Sequence, residues 1–476
     1  MNDTPPTLPN TPPDWRDERI AELESELAKE RAINQALHDR VQQLEADVAA
    51  LKRAGKRQAV PFARRAHVAE PKRPGRKAGQ GVFAHCAHPE RVHETHDTPL
   101  AGCPECGGVL TEFKDHEQFV VDIPPVQPVV TRYVTHSGYC VVCGKRVRSH
   151  HPAQTSDATG AAGVVVGPRA KALAADLKHR LGASYGKVCE VLNDAFGLQV
   201  TRGGWCHADR RLAQHARPVY TELIDVLREC AVVHSDETGW RIGLLSAWLW
   251  VFTNQHITVY TIRESRGHNV VVEILGQTFK GILVSDCFLA YDDQALQDWL
   301  KQKCIGHLLR NLHDVEESKV GGAVRFAREV TAVLRRAVAL KVDKPNLLPE
   351  CFAQQAAMLE AELDTLIAPQ RRLTDPDNVR LAKRLRKQRP HVLRFLYIDD
   401  LDPTNNQAER QLRPGVIIRK TSGCNRTHHG AAAHSILGSI LATCRQQAIP
   451  ILDYLVKLQQ YGGVPPALAP PVSAAA

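Results

Sequence analysis

The sequence is poor in aromatic residues, 5% of its 476 positions, so its core has to be built from Leu, Val, Ile and Ala. It has no apolar run near the roughly 20 residues that cross a bilayer, and no membrane partner is expected. Residues Met1 to Arg19 lack the apolar stretch of a signal peptide. No internal repeat is visible. Outside one segment the chain also lacks an excess of either charge. Between Lys52 and Lys77 stand ten Lys or Arg and one acid, Glu70, a balance of +9 that equals the net charge of the whole chain. The basic excess is therefore one patch, which reads either as a solvated linker or as a nucleic-acid contact. With no export signal, the 13 cysteines point to a reducing cytoplasmic setting, where paired cysteines bind metal more often than they form disulfides.

At roughly 100–200 residues per domain the length predicts two to four domains. Residues 1–15 are rich in Pro and Thr and are expected to be disordered. A heptad pattern follows, with Ile20, Leu27, Asn34, Val41 and Val48 at a, and Leu23, Glu30, Leu37, Leu44 and Leu51 at d. In a parallel pair of helices, Arg19–Glu24, Glu26–Arg31, Arg40–Glu45 and Asp47–Lys52 would face each other with opposite charge. The pattern predicts a dimerising coiled coil over 16–54, with Asn34 fixing the register. The alternative is one amphipathic helix packed on its own chain. The basic linker, 55–80, contains Arg73, Arg76 and Lys77.

Cys103-Pro-Glu-Cys106-Gly and Cys140-Val-Val-Cys143-Gly are two Cys-x-x-Cys turns, each able to present two thiolates to one ion. Together they make a tetrahedral four-thiolate Zn²⁺ site of the closed, structural kind. The stretch between them contains FVVDI and VVTRYVTH, which read as strands of a zinc ribbon over 81–157. His85, Cys86, His88, His93 and His96 read as loop residues beside it. Residues 158–225 read as helices. Within them a helix from Ser184 to Phe196, a turn at Gly197–Val200 and a helix capped by Thr201 and running through Leu212 have a helix-turn-helix outline. If it reads DNA, Arg202, His207 and Arg210 project from the second helix; a plain helical hairpin is the alternative.

Two short apolar strands, 231–235 and 281–285, each run directly into an acid, Asp236 and Asp286. Two strands delivering carboxylates at one sheet edge form a site for a hard cation, with Glu237, Asp292 and Asp293 as rival ligands. A third acid, Glu409, lies in a helix capped by Asp402 or Thr404. Helical spacing puts Asn405, Glu409 and Arg413 on one face, with Asn406 and Arg410 beside them and Arg419, Lys420 and Arg426 beyond. Phosphodiester chemistry wants this combination: carboxylates for two Mg²⁺ or Mn²⁺ ions, and guanidinium and amide groups for phosphate.

The motifs HSDETGW, LVSDCFLAYD and TNNQAERQLRPGVIIRKTSG resemble the catalytic motifs of the insertion sequence 66 family of DDE transposases, and the resemblance covers about residues 16–460. It implies a multidomain α+β chain with an RNase H-like α/β core over 226–445, interrupted by a helical insertion at about 315–400. A C-terminal helix and disordered tail occupy 446–476. It implies Asp236, Asp286 and Glu409 as metal-binding catalytic acids. The implied activity is cleavage at transposon ends and joining of the freed 3′-OH to target DNA. The implied partners are double-stranded DNA, further copies of the chain and accessory proteins of the same element, at the nucleoid. The basic run Arg380, Lys383, Arg384, Arg386, Lys387, Arg389 reads as a DNA-facing or a solvated helix. Cys304-Ile-Gly-His307 resembles a CxxH element that follows the second Asp in several DDE families, and a packing or site-shaping role is preferred for it over zinc binding. Two rival readings remain: a nuclease or resolvase that cuts without joining, and a non-catalytic zinc-containing DNA-binding regulator.

Overall fold

The computed structural model describes residues 15–57, 91–112, 114–163, 165–460 and 467–468; within the first stretch, side chains are described from 19 to 44. Residues 1–14, the tail from 469, and the basic segment with Arg73, Arg76 and Lys77 lie outside the described residues. So do His85, Cys86 and His88. The chain divides into two compact units, Met1–Ala63 and Arg64–Ala476, each taken here by itself.

The first unit is a single helix, α1 (Trp15–Arg57). Ala, Leu, Glu, Lys and Arg dominate it, and no Gly interrupts it before Gly55. Its apolar stripe of Ile20, Leu23, Leu27, Leu37, Val41 and Leu44 is 48–59% exposed.

The second unit opens with a hairpin, β1 (Ser137–Cys140) and β2 (Lys145–Arg148), paired antiparallel. The strands expected at FVVDI and VVTRYVTH do not form. Pro124, Pro125 and Pro128 lie between and beside them, and a proline has no N–H for a ladder. Three helices follow: α2 (Pro168–His179), α3 (Tyr185–Phe196) and α4 (Arg202–Arg228). Ser184 caps α3 through the Lys187 N–H, Gly197 ends it with a positive φ of 63°, and Thr201 caps α4 through the Gly204 N–H. The α3–α4 pair thus has the expected outline, but α4 runs to Arg228 rather than Leu212. Its buried face of Leu212, Ala216, Val219, Leu223 and Leu227 continues past that point and packs on the sheet.

That sheet has five strands in the order β5-β4-β3-β6-β7. Strands β3 (Val232–Ile242), β4 (Leu245–Thr253) and β5 (Thr258–Arg263) form an antiparallel meander. After helix α5 (His268–Leu275), β6 (Ile282–Ser285) and β7 (Leu300–Lys303) run parallel to β3. Alternation divides the side chains between two faces. Val233, Leu283, Trp250 and Phe252 pack in one core with α4 and α5. On the other face Ile282 and Val284 meet α6 (Ile305–Ser318), α7 (Ala323–Asp343), α8 (Pro349–Ile367) and α9 (Pro376–Val392). On that same face Trp240, Leu249 and Val251 meet α10 (Asn406–Thr421).

The outer edge of β5 is closed by α11 (His428–Gln446). Its Ser435, Ser439 and Thr443 recur every four residues, hence on one helix face, and their hydroxyls accept from the N–H groups of Ile262, Tyr260 and Thr258. The chain then continues to α12 (Ile451–Gln459).

The entry into β6 is tight. A Cβ on Gly281 would stand 2.2 Å from the backbone oxygen of Cys230, just ahead of β3. Gly281→Ala is therefore expected to destabilise the chain by about 1–3 kcal/mol through overpacking. The reading is a lower urea midpoint at unchanged slope; an unchanged midpoint would mean that the two strands can part there without cost.

Candidate active site

Asp236 and Asp286 are brought together by strand register. The parallel pairing His234↔Val284, continued two residues further, sets Asp236 beside Asp286. Asp286 follows the end of β6, as expected, whereas Asp236 does not end its strand. β3 continues to Ile242 because β4 pairs with it along that whole length. What ends near Asp236 is the parallel partner, and this opens one side of β3 to a ligand. By alternation Asp236 shares a face with His234 and Trp240, and Asp286 shares it with Ile282 and Val284. This is the face on which α10 packs, with Glu409 in its first turn.

Helix α10 begins later than expected, with Asn405 at its N-cap. Asp402 instead accepts from the N–H and hydroxyl of Thr404. Asn405 was expected to offer its amide to phosphate, and the structure corrects this: it is fully buried. Its Nδ2 donates to the Ser235 carbonyl at 2.8 Å, and its Oδ1 lies 3.3 Å from His234 Nδ1. Its backbone N–H donates to Cys304 Sγ at 3.1 Å, and its carbonyl accepts from the Glu409 N–H at 3.1 Å. Cys304 in turn donates its N–H to the Ser285 carbonyl at 2.9 Å. One residue therefore ties together the backbone next to Asp236, next to Asp286 and at Glu409.

The carboxyl of Asp236 is pushed well above the ordinary carboxylate range, first by burial and then by the charges of Glu237, Asp286 and, less strongly, Glu409. A crowded carboxylate whose strongest charged neighbours are all acids suits a bound cation. Asp286 is held by the Phe288 N–H, which donates to its Oδ1 at 2.9 Å. The three acids share one face without all their oxygens lying within 4.8 Å of one another; among the described residues the group that meets that limit is Cys304, His307 and Glu409.

The rival acids are already engaged. Glu237 points to the opposite face, where Arg266 pairs with it at 2.9 Å and the Tyr291 hydroxyl donates to it at 2.9 Å. Arg266 is itself stacked on the rings of Trp248 and Phe288. Burial, followed by Asp286, raises Glu237 to about 6. Asp293 caps the Ala295 N–H and pairs with His268 at 3.0 Å. Asp292 pairs with Lys303 at 2.9 Å, and both are buried. Sequence reasoning missed Lys303, which also donates to the Asp286 carbonyl at 3.1 Å and to Ser285 Oγ at 3.3 Å. A Lys placed at the end of a buried strand next to an acid motif is the signal that could have found it.

Of the residues expected to meet DNA, Arg202, Arg210, Asn406, Arg410, Arg413 and Lys420 are exposed. Arg413 lies one helical turn beyond Glu409. Arg419 is instead turned onto β3, where it donates to Thr238 Oγ1 and the Gly239 carbonyl. The basic run on α9 is largely held by the protein. Arg380 pairs with Asp377, Arg389 with Asp364, and Lys387 with Asp292, while Arg386 donates to the Ile367 carbonyl.

Both Cys-x-x-Cys turns are formed. Gly107 and Gly144 close them with φ of 72° and 67°, donating to the carbonyls of Cys103 and Cys140. Backbone N–H groups aimed at the sulfur, that of Glu105 at Cys103 and that of Cys143 at Cys140, hold these two thiols below their ordinary range. That is the polarity a thiolate ligand needs. No three of the four sulfurs lie within 4.8 Å of one another. His93 and His96 are exposed.

Residues 163–433 match the family described as Transposase IS66 family, and residues 101–144 match the zinc-finger binding domain of transposase IS66. The chain belongs to the IS66 transposase family. The zinc-finger match, which spans both Cys-x-x-Cys turns, supports a structural Zn²⁺. The uncharacterized protein y4qI of Sinorhizobium fredii is 23% identical over 235 residues, 44% of this chain; the match spans 42% of that protein's own length. Among the described residues no helix is long and apolar enough to cross a membrane.

The Lys303–Asp292 pair supports Asp286 from beneath. Lys303→Met leaves the buried side chain of Asp292 with only Lys387, at 3.6 Å, and the amide of Gln388, and is expected to cost at most about 3–5 kcal/mol. Asp292→Asn in the same chain should restore part of that loss. A single variant as stable as the unchanged chain in urea would show that Lys387 alone balances Asp292.

Proposed function

We propose that the chain is a metal-dependent DDE transposase that cleaves transposon-end DNA and joins the freed 3′-OH to target DNA. The observation that carries this is the placement of Asp236, Asp286 and Glu409 on one sheet face, two by register and one by a helix. The sheet order, an antiparallel meander followed by two parallel strands, supports reading the core as RNase H-like.

Asp236, Asp286 and Glu409 would hold Mg²⁺ or Mn²⁺. Such ions activate the attacking oxygen and stabilise the leaving oxygen of a phosphodiester. The chain's own residues do the rest. Arg266 and Tyr291 draw Glu237 to the opposite face, so that Asp236 alone of the adjacent pair faces the substrate side. Lys303 and Asn405 fix the backbone beside both aspartates. Arg410, Arg413 and Asn406, exposed around Glu409, would bind the flanking phosphates. Arg202 and Arg210 on α4, and Arg73, Arg76 and Lys77 in the linker, would extend the contact along the duplex. The exposed stripe of α1 would pair with another copy as a parallel coiled coil.

Two measurements test this reading. Asp286→Asn is expected to lower Mg²⁺-dependent nicking of end-containing DNA at least about a hundredfold, since a metal ligand at the reacting phosphate is worth several kcal/mol. Nicking that survives this change would sink the metal assignment, and nicking without joining to a target would favour a nuclease. Deleting residues 52–77 is expected to weaken DNA binding and flatten the dependence of log K on log salt. An unchanged slope would return that segment to a linker.

A further inference from the structure

The CxxH element by itself offers two donors, fewer than the three or four protein ligands of a zinc site. The fold adds a third. Cys304 is the N-cap of α6, and His307 lies one turn further along the same helix. Helix α10 brings Glu409 against them, so that the sulfur, a ring nitrogen and a carboxylate oxygen all lie within 4.8 Å of one another. His307 Nδ1 is buried and makes no hydrogen bond. It lies 3.7 Å from Glu409 Oε1. That is too long for a hydrogen bond. It is close to the separation of two ligand atoms that each stand about 2.0–2.2 Å from a shared ion. Cys304 Sγ is buried and accepts from the Asn405 N–H.

We propose that Cys304, His307 and Glu409 form a second zinc site, separate from the four-cysteine module. Thiolate plus imidazole selects Zn²⁺ over Mg²⁺. Three protein ligands leave the fourth position open, unlike a closed structural site. Ligation releases the thiol proton to solvent. The site does not depend on the proposed DNA chemistry, but it shares Glu409 with it, so zinc here and a hard ion at Asp236 and Asp286 compete for one carboxylate.

The test counts zinc per chain in the full-length protein, loaded with Zn²⁺, freed of loose metal on a chelating resin and measured by elemental analysis. Cys304→Ser and His307→Ala are each expected to hold one equivalent less than the unchanged chain. Asp286→Asn should hold as much as the unchanged chain, whether or not it cleaves DNA. With Co²⁺ in place of Zn²⁺, the unchanged chain minus His307→Ala should give a difference spectrum with tetrahedral cobalt bands. Equal zinc in all four proteins, with no such difference spectrum, overturns the site. Should Cys304→Ser fail to fold, the partly exposed His307→Ala decides alone, with circular dichroism and melting as its folding control.

Discussion

The buried amide of Asn405 is the constraint on which the site depends. An asparagine has few donors and acceptors, and here the side chain and backbone of one residue reach three segments. They meet the carbonyl before Asp236, the sulfur of the residue that follows β7, and the N–H of Glu409. Each partner is itself buried or part of a helix or strand, so none can turn to water instead. Leaving a buried polar group unpaired costs about 1–3 kcal/mol, and in this position the loss would fall on the placement of all three acids together.

Charge in the site is arranged by the same logic of engagement. Arg266 and Lys303 are the strong cations near the acids, yet neither lies against Asp236. One binds Glu237 on the opposite face, and the other binds Asp292 and the Asp286 backbone. The arrangement pairs Glu237 and Asp292 with cations and leaves Asp236 among acids. Arg410 and Arg413 of α10 are exposed.

Much of this was legible in the sequence, and the failures have physical reasons. Helical period marked α3, the start of α4 and the helices α7 to α9, because long amphipathic faces repeat many times. The glycine after each Cys-x-x-Cys marked the turns at Cys103 and Cys140. Strand length was not legible at β3, whose first half pairs with β6 and whose second half has β4 alone. FVVDI looks like a strand by composition, but its neighbouring prolines withhold the N–H groups that a partner would need. Asn405 looked like a surface residue because helical spacing aligns it with Glu409; the cap position, however, turns off the helix and into the core. Lys303 was hidden because a lysine in a short strand reads as exposed, and its partner Asp292 is brought near only by tertiary folding. The CxxH pair could be seen, but not the carboxylate from a helix a hundred residues later.

The hydroxyl ladder of α11 has a consequence for how this protein meets others. Ser435, Ser439 and Thr443 occupy the outward N–H groups of β5, while Thr443 and Tyr220 donate to the carbonyls of Thr258 and Tyr260. At the far side of the sheet, the Gln302 side chain on β7 bonds to Val392 and Phe395, and Arg394 takes the Lys301 carbonyl. The outer edge of β5 is thus paired by side chains of its own chain, which blocks addition of a strand there. A protein that approaches this edge meets the side chains of α11 and not unpaired strand backbone, so contact there has to be made through the helix.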